Sequence, residues 1–242
     1  MRRGPTRQSR AVRDRRGEGL AGVAGDLITS GEPVLLVVAD VHRRRAGLEA
    51  LLAGLGPGGA EVCGWSAIPA TRYGGHLLAI DPPPVPAGLD VLRTIPGEGL
   101  VHLAWGEPER EFALAHWRSQ LDLRPPLTQV WRAVAGAGAL QGAELERMLR
   151  GEGAHPRSGA LCGRLLRVLG ELGLAELDGR ALRATAGPRT DLDRSMAHRA
   201  YVSRLAEAER YLSGPERDYT LPHAEGASAE GRQEASRSQA TA

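Results

Sequence analysis

The chain has 242 residues, of which 42% are hydrophobic, enough for one large domain or two small domains with real cores. All 31 basic residues are arginine and the formal charge is only +2, so arginine abundance alone is no sign of nucleic-acid binding. No apolar run reaches the roughly 18 residues of a membrane span. Cys63 and Cys162 lie far apart among apolar residues. We therefore expect a soluble, cytoplasmic protein with reduced thiols and no membrane partner.

The first half of the chain alternates strand and helix patterns. Residues 1–18 are arginine-rich with almost no apolar residues, which predicts a mobile basic arm. After a short helix comes "PVLLVVAD", a continuous apolar run typical of a strand buried on both faces of a parallel sheet. Further strands, "EVCGWSAI", "HLLAI" and "LVHLAW", alternate with helices. Residues 19–123 are therefore predicted to form an α/β lobe with a small, mostly parallel sheet.

The pattern changes at "LRPPL", residues 123–127. Three helical patterns follow, and then two short alternating runs meet at Asp178-Gly179, a strong hairpin signal. Three helices and a hairpin predict a winged helix-turn-helix over residues 124–188. A C-terminal docking helix is predicted over 189–213, and a polar, disordered tail over 214–242.

Asp81 raises the question of catalysis, because it ends the strand "HLLAID" just before three prolines. Ligands and catalytic acids of open α/β sheets gather at such strand ends. Asp40, at the end of "VLLVVAD", is its natural neighbour, and the two form a weak acid-base pair candidate. No phosphate-binding loop of the Walker type precedes any strand, so the alternative is that both aspartates only terminate strands.

The string "HRRR" begins two residues after Asp40, at His42, and places Arg43, Arg44 and Arg45 in the first turn of a helix. The helix dipole makes positive charge unfavourable there, so the arrangement invites a compensating anion. Guanidinium groups at a helix N-terminus form a fair phosphate site. The alternative is a solvated turn in an arginine-rich protein.

Three further arginines lie on or just before the predicted recognition helix of the winged helix. Arg164 and Arg167 lie opposite its apolar face, and Arg157 lies just ahead of its start. Groove-facing residues occupy such positions in helix-turn-helix proteins. Winged helices also serve as protein-interaction modules, so DNA contact and partner contact both stay open.

Several segments, in order, resemble the C-terminal region of the single-stranded-DNA-specific exonuclease RecJ of high-GC bacteria. They are "DRRGEGLAGVAGDLITSGEPVLLVVADVHRRR", "AIDPPPVPAGLDVLR", "VHLAWGEPEREFALAHWR", "LCGRLLRVLGELGLAEL" and "TDLDRSMAHRAYVSRLAEAERYL". The resemblance spans about residues 13–213. It implies a RecA-like or Rossmann-like lobe followed by the winged helix.

The resemblance implies an accessory region rather than an enzyme. The family holds Mn²⁺ or Mg²⁺ with aspartates and histidines, including an Asp-His-His motif, in N-terminal domains, and this chain contains none of those motifs. We therefore expect no catalytic residues, no metal site and no cofactor. The partners implied are single-stranded DNA, single-stranded-DNA-binding protein and a separately encoded exonuclease core, in DNA recombination and repair.

Two other functions remain open from the residues. One is a small nucleotide-dependent α/β enzyme using Asp40, Asp81 and Arg43 to Arg45. The other is a transcriptional regulator in which the α/β lobe senses a ligand and the winged helix reads duplex DNA.

Overall fold

A five-stranded parallel sheet forms the centre of residues 9–123, the α/β lobe. The computed structural model describes residues 9–54, 60–185 and 190–214. The strands are β1 (Val12–Asp14), β2 (Val34–Val38), β3 (Ala60–Gly64), β4 (His76–Ala79) and β5 (Val101–Leu103), in the order β1-β5-β4-β2-β3. Every neighbouring pair is parallel. The predicted small, mostly parallel α/β sheet is confirmed.

Four helices cover the two faces of this sheet: α1 (Leu20–Ser30), α2 (Val41–Gly54), α3 (Ala87–Thr94) and α4 (Glu107–Leu121). One core joins Leu36 of β2 to apolar residues of α1 and α2. The other joins Leu35 of β2 to apolar residues of α3 and α4. All five residues of β2 are buried, which explains why this strand is apolar without alternation.

The expectation of a mobile arm over residues 1–18 is wrong for the part that the structure describes, which begins at residue 9. Val12–Asp14 pairs with β5 as an edge strand. Arg10 is only 4% exposed, and its guanidinium donates to five backbone carbonyls. These belong to Tyr73, Gly75, Ile95, Pro96 and Gly99, at the amino-terminal ends of β4 and β5. The buried guanidinium of Arg10 therefore anchors this segment to the sheet. The pattern of apolar residues in the sequence cannot predict such an anchor.

Residues 124–185, the second lobe, combine three helices with a small antiparallel sheet. The elements are α5 (Arg124–Ala137), β6 (Ala139–Gln141), α6 (Gly142–Arg150), α7 (Gly159–Glu171), β7 (Ala175–Asp178) and β8 (Ala181–Ala184). The sheet order is β6-β8-β7. Gly179, with φ +58°, occupies the β7–β8 turn predicted from Asp178-Gly179. The lobe has its own core around Leu165, Val168 and Leu169.

The last described helix, α8 (Met196–Ser213), packs on both lobes. It begins seven residues after residue 189, the predicted start, because Asp191 caps a short 3-10 turn and the hydroxyl of Ser195 caps α8. Tyr201 joins the core of the second lobe, whereas Tyr211 and Leu212 join that of the α/β lobe. Arg110 of α4 donates to the carbonyls of Leu212 and Gly214 at the end of α8. This helix therefore ties the two lobes together.

The predicted tail lies outside the described residues, apart from Gly214. Cys63 and Cys162 form no disulfide, and burial raises the pKa of the Cys63 thiol to about 11. Among the described residues, no helix combines the length and the apolarity needed to cross a bilayer.

Candidate functional site

A cleft of about 1010 Å³ separates the α/β lobe from the second lobe. One wall is formed by the segments that follow β2 and β3, at the carboxyl edge of the sheet, together with the end of α4. The opposite wall consists of the start of α5, the loop before α7 and the first turns of α7. We call this cavity the interlobe cleft. Its volume lies at the upper end of the roughly 300–1,000 Å³ that ligand pockets usually have.

The walls of the interlobe cleft carry more positive than negative charge. The arginines are Arg43, Arg118, Arg150, Arg157 and Arg164, and the acids are Asp40 and Asp122. Three of these arginines have carboxylate partners: Arg43 with Asp40 at 3.6 Å, Arg118 with Glu209 at 2.8 Å and Arg150 with Glu146 at 3.1 Å. The cleft brings together three of the six predicted anion-binding arginines, namely Arg43, Arg157 and Arg164.

Arg157 and Arg164 have no carboxylate within ion-pair distance in the described part of the chain. Arg157 donates to the carbonyls of Met148 and Leu149, both at 3.1 Å, and to the side chain of Gln129. Arg164 donates to the Gln120 carbonyl at 2.8 Å and lies 5.6 Å from the ring centre of Tyr201. Burial lowers the pKa of Arg164, but a guanidinium stays charged in proteins. Both guanidinium groups are therefore positively charged and held in place, and their hydrogen-bond acceptors are uncharged.

The predicted solvent-facing row of arginines on α7 is wrong for Arg164. That side chain is half-buried and turns towards α4 and α8. The exposed residues of α7 are Gly159, Ala160, Gly163, Arg167, Gly170 and Glu171, and Arg167 pairs with Glu171 at 3.0 Å. The long side chains of this face are thus paired with each other and the rest are small, so it is poorly equipped to read base edges in a DNA groove.

Asp81 and Arg44 occupy the topological switch point of the sheet, between the carboxyl ends of β4 and β2. Asp81 is fully buried, and its Oδ2 accepts from the Ala39 amide at 2.8 Å and from Arg44 Nε at 3.2 Å. The Arg44 guanidinium also lies 3.9 Å from the ring centre of Phe112. The anion that compensates Arg44 is therefore the carboxylate of Asp81. Arg44 is no longer a candidate for binding a ligand.

Asp40 has a different neighbourhood, since it caps α2 and lines the cleft. Its Oδ1 accepts from the Arg43 amide at 3.1 Å, and His116 Nδ1 lies 3.2 Å from Oδ2. Burial acts to raise the pKa of Asp40, but the Arg43 amide and His116 outweigh it and lower the pKa. Burial lowers the pKa of His116. Asp40 is therefore a charged carboxylate bonded to a neutral imidazole at neutral pH.

The two weak acid candidates do not form an acid-base pair. Asp81 is committed to Arg44 and Ala39, whereas Asp40 is bound to His116 and the start of α2. Arg45 is exposed and absent from the residues that line the cleft. In the described ranges, no three His, Cys, Asp or Glu side chains are grouped as metal ligands would be.

Sequence reasoning missed several residues of this site. His42 and His155 meet across the cleft with ring centres 6.1 Å apart, and Arg118 and Arg150 contribute to its walls. His42 stands in the string "HRRR", whereas the other three stand in no motif and reach the cleft through the tertiary packing of the two lobes. No local signal in the sequence identifies them.

Comparisons with protein-family models, with curated proteins and with solved structures found no match to this chain. The RecJ resemblance, and the function it implies, therefore stay predictions.

Proposed function

We propose that this chain is a non-catalytic accessory module of single-stranded-DNA processing, resembling the C-terminal region of RecJ, and that it binds single-stranded DNA in the interlobe cleft. The observation that carries this proposal is the pair Arg157 and Arg164, two guanidinium groups without carboxylate partners in one cleft wall. Phosphate groups are their natural counter-ions.

The topology supports the finer fold assignment within this proposal. In residues 124–185 the elements follow the order helix, strand, helix, helix, strand, strand, and the first strand pairs with the last; this order supports the winged-helix assignment. A parallel sheet whose switch point is filled by Arg44 and Asp81 suits a RecA-like lobe that has lost its nucleotide site. The same ion pair disfavours the nucleotide-dependent enzyme, because it removes Asp81 and Arg44 from any ligand.

The cleft suits a single strand better than a duplex. Trp65 and Trp117 lie in its walls beside the arginines, and unstacked bases can stack on aromatic rings. The glycine-rich face of α7 disfavours major-groove reading, which the transcriptional-regulator alternative needs. Single-stranded-DNA-binding protein and a separately encoded exonuclease core remain proposed partners of the module.

Fluorescence anisotropy with a labelled oligo-dT measures the binding. Arg43 and Arg45 form a matched pair for this test, because they lie two residues apart on α2 but only Arg43 lines the cleft. We expect Arg43→Gln to weaken binding at low salt and to reduce the slope of log K against log salt by about 0.7, the value for one phosphate contact on a single strand. The matched control Arg45→Gln should bind like the parent. Arg157→Gln, checked for folding by its thermal melt, should weaken binding further.

Two results would overturn the proposal. The first is the absence of oligo-dT binding at low salt, and the second is equal binding by the Arg43, Arg45 and Arg157 variants. The non-catalytic part has its own test, because Mn²⁺-dependent degradation of single strands by the purified chain would contradict it.

A further inference from the structure

A second cavity, of about 710 Å³, adjoins the interlobe cleft on the far side of the loop before α7. It lies between α5 and α6, and its walls carry Arg132, Arg147, Arg150 and Arg157 together with Glu144 and Glu152. Four residues, Gln129, Arg150, His155 and Arg157, line both cavities. The two cavities therefore adjoin each other at these side chains.

Arg157 forms the junction between the two cavities. Its guanidinium is fixed by the Met148 and Leu149 carbonyls at the end of α6, so it is pre-oriented between them. A Cβ added at Gly151 would lie 3.4 Å from the Arg157 Cζ, which places this guanidinium directly against the α6 terminus. A rigid cation at a bend can contact a phosphate without first losing side-chain entropy.

Arg132 and Arg147 extend the positive charge beyond this junction. Both side chains are exposed, and within the described ranges neither lies within ion-pair distance of a carboxylate. Glu144 and Glu152 stand in the same walls but are not paired with them. The charge pattern is that of a track for a polyanion rather than a pocket for one phosphate group.

We infer that the two cavities form one groove, and that a bound single strand continues from the interlobe cleft around Arg157 to Arg132 and Arg147 between α5 and α6. This inference rests on the proposed function and defines the path of its ligand. A short oligonucleotide occupies only the interlobe cleft, whereas a longer one also reaches Arg132 and Arg147. Affinity and salt dependence therefore increase with oligonucleotide length until the groove is filled.

The test compares oligo-dT of four and of sixteen nucleotides by fluorescence anisotropy. In the double variant Arg132→Gln/Arg147→Gln we expect weaker binding of the long oligonucleotide and a loss of about 1.4 from its salt slope, the value for two phosphate contacts. Binding of the short one should not change. The matched control is Arg124→Gln, an exposed arginine on α5 that lines neither cavity. Glu152→Gln should strengthen binding of the long oligonucleotide, because it removes a negative charge from the groove.

The possible failures are distinguishable. If neither length binds, the proposed function itself is wrong. If both lengths bind but the double variant behaves like Arg124→Gln, the groove is wrong and the interlobe cleft stands alone. An acidic partner peptide is the competing occupant, so a poly-glutamate peptide that displaces the long oligonucleotide at equal or lower charge concentration would also overturn the inference.

Discussion

Arg44 and Asp81 form a buried ion pair that joins the start of α2 to the carboxyl end of β4. The Asp81 side chain is fully buried, while that of Arg44 is 22% exposed. Burial raises the pKa of Asp81, and the hydrogen bonds from Arg44 and the Ala39 amide act against this rise. The carboxylate thus depends on Arg44 for its charge, and the pair fills the place where an α/β sheet usually binds its ligand.

Removing Arg44 should therefore destabilise the fold. We expect Arg44→Met to lower the free energy of unfolding by about 3–5 kcal/mol at pH 7, because it leaves a buried charge without a partner. Adding Asp81→Asn should recover part of this loss. Urea unfolding measures both, with Arg45→Met as the exposed control on the same helix. Equal stability of the Arg44 and Arg45 variants would show that the ion pair contributes nothing.

Arg10 should tolerate replacement by lysine poorly. Its planar guanidinium donates to five carbonyls, whereas an ammonium group has only three donors, so buried acceptors lose their partners. We expect Arg10→Lys to cost about 2–6 kcal/mol, at about 1–3 kcal/mol for each of the two carbonyls left without a donor. Arg13→Lys, at an exposed position of β1, is the control for thermal or urea unfolding. If the two variants are equally stable, Arg10 does not anchor the N-terminal strand.

Stability should fall with acidification through His102, a buried residue of β5. Burial, with contributions from His76 and nearby arginines, lowers the pKa of His102 from 6.5 to about 4. Between these two pH values the unfolded chain binds more protons than the folded chain. The contribution of His102 to the free energy of unfolding is therefore fully present above pH 6.5 and is lost as the pH falls towards 4. The contribution of this histidine is on the order of 3 kcal/mol.

His102→Gln should flatten this dependence, measured as urea unfolding at a series of pH values. Glutamine keeps a donor for His76 Nδ1, which lies 3.1 Å from His102 Nε2. Part of the slope will remain, because burial also lowers the pKa of His116. The exposed His155→Gln is the control. An unchanged slope in the His102 variant would refute this origin of the acid sensitivity.

Two glycines should respond to alanine in opposite directions. Gly163 lies in the middle of α7, and a Cβ there would meet no atom within 4 Å, so Gly163→Ala should stabilise the chain by about 0.5–1 kcal/mol. At Gly75 a Cβ would lie 1.8 Å from the Pro33 carbonyl oxygen, so Gly75→Ala should be clearly destabilising. Thermal unfolding compares the two. Destabilisation by Gly163→Ala would mean that another surface covers this face of α7.

The sequence by itself determined where most elements lie and how the main sheet is built. The apolar run Val34–Val38, the helical spacing in α7 and the Asp178-Gly179 turn each depend on residues close in the chain, so their patterns are local. The sequence also placed Asp81 correctly just beyond the end of a strand, two residues after Ala79, the last residue of β4.

Only the tertiary structure decided what the charged residues do. Arg44 and Asp81 are 37 residues apart, and Arg10 reaches carbonyls 63 to 89 residues away, so no local pattern connects them. Arg43 and Arg157 share a cleft because α8 holds the lobes together through Tyr201 on one side and Tyr211 on the other. Ion pairing and burial act through space, and the same arginine is a surface charge, a structural cation or a ligand-binding group according to the side chains that the fold brings beside it.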